Sequence, residues 1–484
     1  MLNLRLLILV LGLFLSKLAL FLLVPMTVGL ITLDGTVFDF FTAAMITGAV
    51  GGAMITFGKL APSRPNSMLR ARDMFMLTSM VWLIFSSMAA LPFVFIEHIS
   101  FTDAFFETIS GVTTTGSTVL SDLPNHAPSI LIWRSILQWL GGIGFIVMGV
   151  GILPYLNVGG MKLFQTESSD WSDKQVPRLK HYTALLFTAY SILTALCMVC
   201  YKLSGMSWFD AINHALTTLS TGGYSTSDAS MAGFPVAAHW VAIVFMFAGG
   251  IPLLLFIQSA RRKSLNPWQD QQLMGYLKLV LLASAVLTAY LYMTHQQSLI
   301  DAARLSLFNV ISIVTTTGFA LTDYSAWGAL AAGLFFLLTF AGGCSGSTAG
   351  GIKIFRFQVA WEIMLRHLRS QVHPYGTFTA RYNKRPISDD IVASVLTLAF
   401  LFMLTMALLT LFLAALGLDF VTALTGAVTA VCNVGPGLGD TIGPAGNFSS
   451  LPDAAKWALG IGMLAGRLEI TTLVILFLPK FWKK

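Results

Sequence analysis

Four short strings of small and polar residues recur along this 484-residue chain, and each ends in glycine. They occupy residues 112–116, 218–222, 314–318 and 431–435. Their final glycines are 106, 96 and 117 residues apart, and each string follows a short amphipathic stretch between two long apolar runs. Repetition of this kind indicates copies of one structural unit that pack against each other. The pattern therefore predicts four copies of a membrane helix, a re-entrant loop and a second membrane helix.

The composition places the chain in a lipid bilayer. Hydrophobic residues make up 56% of the sequence, charged residues only 11%, and the mean hydropathy is +0.76. An apolar helix of about 20 residues crosses the hydrocarbon core and satisfies its own backbone hydrogen bonds there. We count ten such runs, at approximately 5–31, 38–57, 74–96, 130–155, 182–203, 237–259, 273–293, 329–357, 391–416 and 455–478.

The predicted fold is an all-α polytopic membrane protein, with two N-terminal spanning helices followed by four pseudo-fourfold helix–pore loop–helix repeats around one ion pathway. The stretches before the four strings are too short to span, so they are predicted to be re-entrant half-helices shielded by protein or water. The predicted boundaries are 1–72 for the N-terminal two-helix unit, 73–158 for repeat 1, 159–263 for repeat 2, 264–370 for repeat 3 with a broken second helix, and 371–484 for repeat 4.

The distribution of lysine and arginine predicts the orientation in the membrane. The segments between repeats and at the C-terminus hold 21 of the 29 basic residues, whereas the four segments that contain the strings hold only Arg304. Short basic loops stay in the cytoplasm. The strings are therefore expected to open outward and both termini to lie in the cytoplasm. This asymmetry also accounts for the net charge of +7, so no nucleic-acid partner is predicted.

The four strings have the composition of an ion filter. An extended strand of threonine, serine and glycine lines up backbone carbonyls that replace the hydration shell of a cation, while its hydroxyls tie the strand back. No carboxylate occurs in the strings, which favours K⁺ or another weakly hydrated monovalent ion over a divalent ion. The predicted K⁺ filter residues are Thr114, Thr115, Gly116, Ser220, Thr221, Gly222, Thr316, Thr317, Gly318, Asn433, Val434 and Gly435.

Aligned on these glycines, the four half-helices carry Glu107, Asn213, Asn309 and Gly426 at the same position, nine residues earlier. Asp103 and Glu107 in the first loop and Asp210 in the second could attract cations to the outer mouth. Helix capping and packing are equally good interpretations of each. His214 could sense pH, but a satisfied packing histidine is the better interpretation.

The eighth apolar run contains a glycine-rich stretch that predicts a break in the helix. We expect this stretch to cross the pathway as an intramembrane gate, formed by Gly342, Gly343, Cys344, Ser345, Gly346, Ser347, Thr348, Ala349, Gly350 and Gly351. Arg467, midway along the last span, is the remaining predicted gate residue, either as an electrostatic barrier or tied to the carbonyl ends of half-helices. A pair with Glu469 is not expected, and Arg134, which can snorkel from an outer helix end, is expected to pack rather than to gate.

Several motifs together resemble one family over nearly the whole chain. They are Phe101-Thr102-Asp103-Ala104-Phe105-Phe106-Glu107, Gln138-Trp139-Leu140-Gly141-Gly142, the run from Gly342 to Gly351, Gly435-Pro436-Gly437-Leu438-Gly439 and Gly466-Arg467-Leu468-Glu469. The chain resembles the TrkH/TrkG-type bacterial potassium-uptake subunits of the Trk/Ktr/HKT superfamily.

The resemblance implies one K⁺ path per chain and a homodimer with two separate pores. It also implies a cytosolic, TrkA-like, ring-forming partner that binds NAD and ATP or ADP. No cofactor is expected in this chain itself. The basic stretch 353–390 is long enough to serve as a docking platform for such a partner, although anionic membrane lipid is its simpler partner.

The predicted function is K⁺ uptake, with a Na⁺- or H⁺-coupled K⁺ symporter as the alternative. Coupled transport usually needs intramembrane carboxylates, which are scarce in this sequence. No convergent nucleophile, base or metal set occurs in the spans, so an enzyme is not predicted. The four cysteines lack metal-site spacing.

Overall fold

A computed structural model describes residues 3–60, 71–151, 175–261, 270–294, 296–383 and 385–483. Within these ranges the regular structure is helical, apart from one two-stranded hairpin. The first helices, which include the N-terminal unit and the first repeat, are α1 Leu4–Phe21, α2 Leu23–Thr32, α3 Val37–Leu60, α4 Ala71–Ala89, α5 Leu91–Ile96, α6 Phe101–Val112 and α7 Pro128–Gly151. The middle of the chain forms α8 Gln175–Leu203, α9 Trp208–Leu219, α10 Val236–Gly249, α11 Leu253–Arg261, α12 Gln271–Thr294, α13 Leu299–Val314 and α14 Ala329–Thr339. The remainder forms α15 Ile354–Val372, β1 Arg381–Tyr382, β2 Arg385–Pro386, α16 Asp389–Ala415, α17 Phe420–Cys432, α18 Asp453–Arg467, α19 Thr471–Phe477 and α20 Pro479–Trp482.

The membrane spans differ in number from the ten predicted. Among the described residues, seven helical stretches are long and apolar enough to cross a membrane, and two bent helix pairs raise the number to nine. The eighth predicted run, 329–357, fails because only α14, with 11 residues, is a regular apolar helix there. The structure thus confirms a polytopic α-helical membrane protein.

The four half-helices α6, α9, α13 and α17 begin with the same type of cap. The side-chain oxygens of Ser100, Ser207, Ser298 and Asp419 each accept a hydrogen bond from the backbone N–H three residues later, at 3.0–3.1 Å. Such caps satisfy one of the free N–H groups at a helix start. These helices have 12, 12, 16 and 13 residues. At 1.5 Å per residue they reach roughly 18–24 Å, too short for a hydrocarbon core of about 30 Å.

The second helix of each repeat behaves differently. Only α7 runs straight through, whereas α10 and α11 meet at 91° and α18 and α19 at 113°. Pro252 lacks the N–H that would continue the α10 ladder, and Glu469 and Ile470 have positive φ angles that end α18. In the third repeat, the chain between α14 and α15 is not helical at all. The predicted break in the third repeat is confirmed, and the sequence analysis missed the bends in the second and fourth.

The N-terminal helices pack closely and are tied to the first repeat. An added Cβ on Gly12 or on Gly51 would press against the opposite backbone, so small residues permit close approach of α1 and α3. Thr36 and Ser129 hydroxyls lie 2.7 Å apart, which joins the start of α3 to the start of α7.

Candidate ion pathway

The four strings adopt one backbone conformation. In each, an amide N–H donates to the carbonyl five residues earlier: Thr115 to Ser110, Gly222 to Thr217, Thr317 to Ser312 and Val434 to Thr429, at 2.8–3.0 Å. The residue before this amide and the residue after it both have positive φ; these are Thr114 and Gly116, Thr221 and Gly223, Thr316 and Gly318, and Asn433 and Gly435. The four loops are therefore equivalent in backbone structure.

The register predicted for the second loop is wrong by one residue. The positions of Thr114, Thr115 and Gly116 are taken in the second loop by Thr221, Gly222 and Gly223, not by Ser220, Thr221 and Gly222. A signal for this was present in the sequence. Counted from the caps Ser100, Ser207 and Asp419, the final glycine lies sixteen residues later only when Gly223 is chosen in the second loop. The third loop is four residues longer because α13 has an extra turn.

The four segments close into a ring in chain order. A Cβ added to Gly116 would overlap the carbonyl oxygen of Gly222. One added to Gly223 would overlap that of Thr317, one on Gly318 that of Val434, and one on Gly435 would lie 2.7 Å from that of Thr115. Each segment thus lies against the next, and the fourth returns to the first. Only glycine permits this approach at positive φ.

Threonine hydroxyls tie the segments back, as predicted from the sequence. The Thr113 and Thr115 hydroxyls lie 2.8 Å apart, and so do those of Thr315 and Thr317. Asn433 Nδ2 donates to Thr115 Oγ1 at 3.0 Å, which links the fourth segment to the first. The buried hydroxyl oxygen of Thr114 has no hydrogen-bond partner. A buried polar atom without a partner is costly, which suits a site that takes a ligand or water.

A polar side chain of each half-helix anchors the segment that follows its glycine. Glu107 accepts from Val119 N–H at 3.0 Å, Asn309 from Leu321 N–H at 3.3 Å, and Thr425 from Leu438 N–H at 3.1 Å. In the second repeat, His214 Nε2 lies 3.0 Å from Ser225 Oγ. His214 therefore holds the position that the sequence alignment had given to Asn213, and its packing role is supported.

Arg134 and Glu107 form a buried ion pair. Nε of Arg134 lies 2.8 Å from Oε1 of Glu107, and the two side chains are 1% and 0% exposed. Arg134 therefore does not snorkel; it packs, with its guanidinium 4.1 Å from the centre of the Tyr224 ring. Glu107 is inaccessible to ions at an outer mouth, so its packing interpretation holds.

The other two acidic residues considered for the outer mouth are also engaged. Asp103 pairs with Lys456 at 2.6 Å, and its backbone N–H is capped by Ser100. Asp210 accepts from the hydroxyls of Ser207 and Thr226, both at 2.6 Å. Each residue is therefore part of a half-helix start.

The glycine-rich stretch Gly342–Gly351 lies directly against the ends of three half-helices. Its Thr348 hydroxyl contacts the Leu219 carbonyl at 3.0 Å, and its Gly350 N–H donates to Thr316 Oγ1 at 2.7 Å. The Gly351 N–H donates to the Cys432 carbonyl at 2.9 Å. We call residues 342–351 the intramembrane loop. It contacts the ring segments of repeats 2, 3 and 4.

The rest of the intramembrane loop rests on the bend between α10 and α11. Cys344 N–H donates to the Gly250 carbonyl at 2.9 Å, and Leu253 N–H donates to the Gly346 carbonyl at 3.2 Å. The Ser345 N–H donates to Gln272 Oε1 at 2.7 Å. The helix bend of repeat 2 therefore supplies the carbonyl and N–H that this loop uses.

Arg467 holds the intramembrane loop from the fourth repeat. Its Nη1 donates to the Thr348 carbonyl at 3.0 Å, while Nε and Nη2 are buried without hydrogen-bond partners. Its guanidinium lies 4.1 Å from the centre of the Phe145 ring of α7. The sequence analysis offered two interpretations of Arg467, a barrier charge and a tie to half-helix carbonyls. Neither predicted its hydrogen bond to the intramembrane loop.

Two residues that were assigned to a basic stretch at 353–390 are instead buried beside the intramembrane loop. Lys353 is 4% exposed, and its ammonium donates to the Ala349 carbonyl. Arg356 forms a 2.7 Å ion pair with Glu469. The start of that stretch is therefore no docking platform. The expectation that Arg467 and Glu469 do not pair with each other agrees with these contacts.

The remaining basic residues of that stretch lie on or beside α15 and the β1–β2 hairpin. Phe355, Val359, Ala380, Tyr382, Ile387 and Val395 form a small apolar cluster that packs the hairpin against α15 and α16. Arg366, His367 and Arg369 lie near the exposed end of α15. Lys384 lies outside the described residues.

The geometry as a whole defines a class of protein. Capped half-helices converge from four repeats on one closed ring of small, polar segments inside a polytopic bundle, which is the arrangement of a membrane ion-transport protein. In the described part of the chain, no group of three or more His, Cys, Asp or Glu residues could hold a metal ion.

Comparison with known proteins identifies the family. The model of the TrkH family, described as a cation transport protein, matches residues 40–484. The chain belongs to the TrkH family, a transport family and not an enzyme family. It is 47% identical to the Trk system potassium uptake protein TrkI of Halomonas elongata, over 96% of this chain and 94% of that protein.

Two further comparisons extend over the whole chain. Identity to the Trk system potassium uptake protein TrkH of Escherichia coli is 34%, over 96% of both proteins. The crystal structure of the potassium transporter TrkH from Vibrio parahaemolyticus superposes with a TM-score of 0.91 and 33% identity, and covers 99% of both chains.

Proposed function

We propose that this protein carries K⁺ into the cell through the ring formed by its four segments. The observation that carries the proposal is the closed cyclic order of the ring, in which each glycine lies against a carbonyl of the next segment. The names of the relatives, all potassium uptake proteins or transporters, support K⁺ as the cargo. A membrane potential supplies about 2.3 kcal/mol per charge per 100 mV, which is enough to concentrate K⁺.

The proposed filter consists of Thr114–Gly116, Thr221–Gly223, Thr316–Gly318 and Asn433–Gly435. Its backbone carbonyls and threonine hydroxyls are neutral oxygen ligands, which replace the hydration shell of a monovalent cation. Gly222, Asn433 and Val434 depart from the Thr-Thr-Gly pattern, so the filter is only approximately fourfold.

The proposed gate is the intramembrane loop together with Arg467. Support comes from its position against the ring segments of three repeats and from the hydrogen bond that Arg467 makes to Thr348. A gate formed by this loop would close the pathway on the inner side of the ring. Opening therefore requires the loop to leave its contacts with Thr316 and Arg467.

The proposed assembly is a homodimer in a bacterial inner membrane, with both termini in the cytoplasm and a TrkA-like ring bound on the cytosolic side. The nucleotides NAD and ATP or ADP belong to that partner. The exposed basic residues Arg369 and Arg381 are proposed to contact it or anionic lipid headgroups.

Coupled symport is not favoured. A proton- or sodium-coupling site needs an intramembrane carboxylate that can change partners. Glu107 is paired with Arg134, Asp103 with Lys456 and Glu469 with Arg356. None of these three carboxylates is available for such a site in this conformation.

Radiotracer uptake into proteoliposomes at a set voltage tests the proposal. An inside-negative potential should drive entry of K⁺ and Rb⁺ far faster than entry of Na⁺, without a Na⁺ or proton gradient. Absence of voltage-driven K⁺ entry by the protein with its cytosolic partner would refute channel-like uptake. Entry that depends on a Na⁺ or proton gradient would instead establish symport.

A further inference from the structure

The second ring segment lacks a side chain that the other three possess. Gly222 occupies the position of Thr115, Thr317 and Val434, and Gly223 follows it directly. Two consecutive glycines have the greatest backbone freedom of any pair. This segment would therefore be the least rigid part of the ring unless another residue held it.

Gln138 of α7 occupies the space that a side chain on Gly222 would fill. All three atoms nearest to an added Cβ on Gly222 belong to the Gln138 amide, and they would overlap it. The Gln138 Nε2 donates to the Gly222 carbonyl at 2.6 Å, and Oε1 accepts from the Tyr224 N–H at 3.0 Å. Gln138 itself is fully buried. One side chain thus fixes two backbone atoms of the second segment.

Arg134, one helical turn before Gln138, extends this support. Its Nη1 donates to the Ser225 carbonyl at 3.1 Å. Residues four apart lie on the same helix face. The face of α7 that carries Arg134 and Gln138 therefore holds three backbone groups, one in the second ring segment, at Gly222, and two directly after it, at Tyr224 and Ser225.

The other second helices have no counterpart of this amide. Gly141, Gly249 and Gly466 are equivalent, because each lies against the carbonyl three residues before the ring amide of its own repeat, namely that of Val112, Leu219 and Val431. The residue three positions before each is Gln138, Met246 and Met463, respectively. Methionine cannot donate a hydrogen bond. Among the helices that continue through this depth, only α7 can hold a ring carbonyl in this way.

We propose that Gln138 is a positioning residue for ion selection, which fixes the Gly222 carbonyl and replaces the side chain missing from the second segment. This inference rests on the proposed function. Discrimination between K⁺ and Na⁺ depends on the number of coordinating carbonyls and on how firmly they are held. A carbonyl oxygen has two lone pairs, so Gly222 accepts from Gln138 and still has one for an ion.

The first test is Gln138→Met, which introduces the residue found in the second and fourth repeats. The variant loses both hydrogen bonds of the amide, and the one that bears on ion selection is the bond to the Gly222 carbonyl. Loss of that one buried hydrogen bond corresponds to roughly a three- to tenfold effect on an equilibrium or rate ratio. We expect the ratio of Na⁺ to K⁺ uptake in proteoliposomes to rise by about that factor, with K⁺ uptake retained. Trp139→Phe is the matched control. It loses the hydrogen bond from Trp139 to Thr194 on another face of the same helix and should keep the wild-type ratio.

A compensating pair of substitutions separates positioning from mere packing. Gly222 does not have a positive φ, and the three atoms nearest to a Cβ there all belong to the Gln138 amide. We expect Gly222→Thr alone to impair uptake. The double variant Gln138→Ala with Gly222→Thr should have a Na⁺ to K⁺ ratio nearer to wild type than either Gln138→Ala or Gly222→Thr alone.

The outcomes distinguish the two proposals. A wild-type Na⁺ to K⁺ ratio in folded Gln138→Met overturns the role of Gln138 while K⁺ uptake by the wild type stands. If Gln138→Met does not fold, the double variant decides. The inference is overturned if the Na⁺ to K⁺ ratio of the double variant is no nearer to the wild-type ratio than the ratios of Gln138→Ala and Gly222→Thr are. No alkali-cation uptake by the wild type would refute the proposed function itself.

Discussion

At the scale of single residues, the buried charges are structural. Arg134 and Glu107 join the first half-helix to the second ring segment, and Arg356 and Glu469 join α15 to the end of α18. Charges buried inside a membrane protein are tolerated only when they are paired or face water. The sequence identified Arg467 as an intramembrane charge, because it lies midway along an apolar run, but it could not identify partners that are distant in the chain.

Removal of one member of the Arg134–Glu107 pair should be strongly destabilising. Arg134→Met leaves an uncompensated buried carboxylate, which typically costs about 3–5 kcal/mol of unfolding free energy. The double variant Arg134→Met with Glu107→Gln should recover part of that loss. Unfolding of the detergent-solubilised protein by denaturant or by heat measures the stability of both variants.

The control for this comparison is Arg366→Gln. Arg366 and Asp389 are 4.0 Å apart and 33% and 97% exposed, so their pair should contribute less than about 1 kcal/mol. Equal losses of unfolding free energy in Arg366→Gln and Arg134→Met would contradict the structural role given to Arg134.

His126 provides a pH-dependent contact outside the spanning helices. Its Nδ1 lies 2.6 Å from Glu97, and the hydrogen bond to that carboxylate raises the pKa of His126 above 6.5. Because the folded pKa exceeds the unfolded value, the stabilisation is complete below about pH 6.5 and is lost as the pH rises through the folded pKa.

We therefore expect the stability difference between the wild type and His126→Gln to be largest in mildly acidic buffer and to shrink at alkaline pH. Thermal unfolding over a pH series measures it. A difference that grows with pH would mean that the pairing with Glu97 is absent.

At the scale of elements, the second helices of the repeats divide into one that is straight and three that are interrupted. The interruptions at Gly250–Pro252, in the intramembrane loop and at Glu469–Ile470 differ in chemistry. A glycine-rich run of ten residues is easy to recognise in a sequence, since its helix propensity is poor throughout. A bend at one proline, or at two residues with positive φ, has a much weaker local signal and depends on the contacts around it.

Removal of Ser345–Ser347 from the intramembrane loop should raise K⁺ flux through the protein without its cytosolic partner. The shortened loop could no longer span from Gly250 to Thr316, where its hydrogen bonds now lie. Arg467→Ala should act in the same direction, because it removes the bond to Thr348. Radiotracer flux into proteoliposomes measures the effect.

An equally long deletion, Tyr375–Thr377, in the exposed turn after α15 is the control and should leave that flux unchanged. Unaltered flux in well-folded protein with the shortened intramembrane loop would argue against a gate at this position.

At the scale of the whole molecule, ring closure depends on all four repeats together. The return from the fourth repeat to the first is made by Asn433 to Thr115, by Ser117 Oγ to the Gly435 carbonyl at 2.9 Å, and by Lys456 to Asp103. These contacts join residues more than 300 positions apart in the chain. No single repeat could form the pathway alone.

Gly223→Ala should reduce K⁺ uptake to a small fraction of the wild-type rate. Its new Cβ would overlap the Thr317 carbonyl of the next segment, and φ of +80° is itself unfavourable for alanine. Gly144→Ala is the matched control, since a Cβ there meets nothing within 4 Å. Uptake assays on protein of verified folding compare the two. Normal uptake by Gly223→Ala would show that the ring does not include Gly223.

The sequence by itself determined the class of the molecule: a helical membrane protein, four repeats with re-entrant half-helices, and a break in the eighth apolar run. These features follow from local properties, namely hydropathy, repeat spacing and helix propensity. The tertiary structure decided the register of the second segment, the partners of every buried charge and the bends in two further helices. Each of these depends on contacts between residues far apart in the chain, such as Gln138 with Gly222, and local sequence carries no information about the geometry of such contacts.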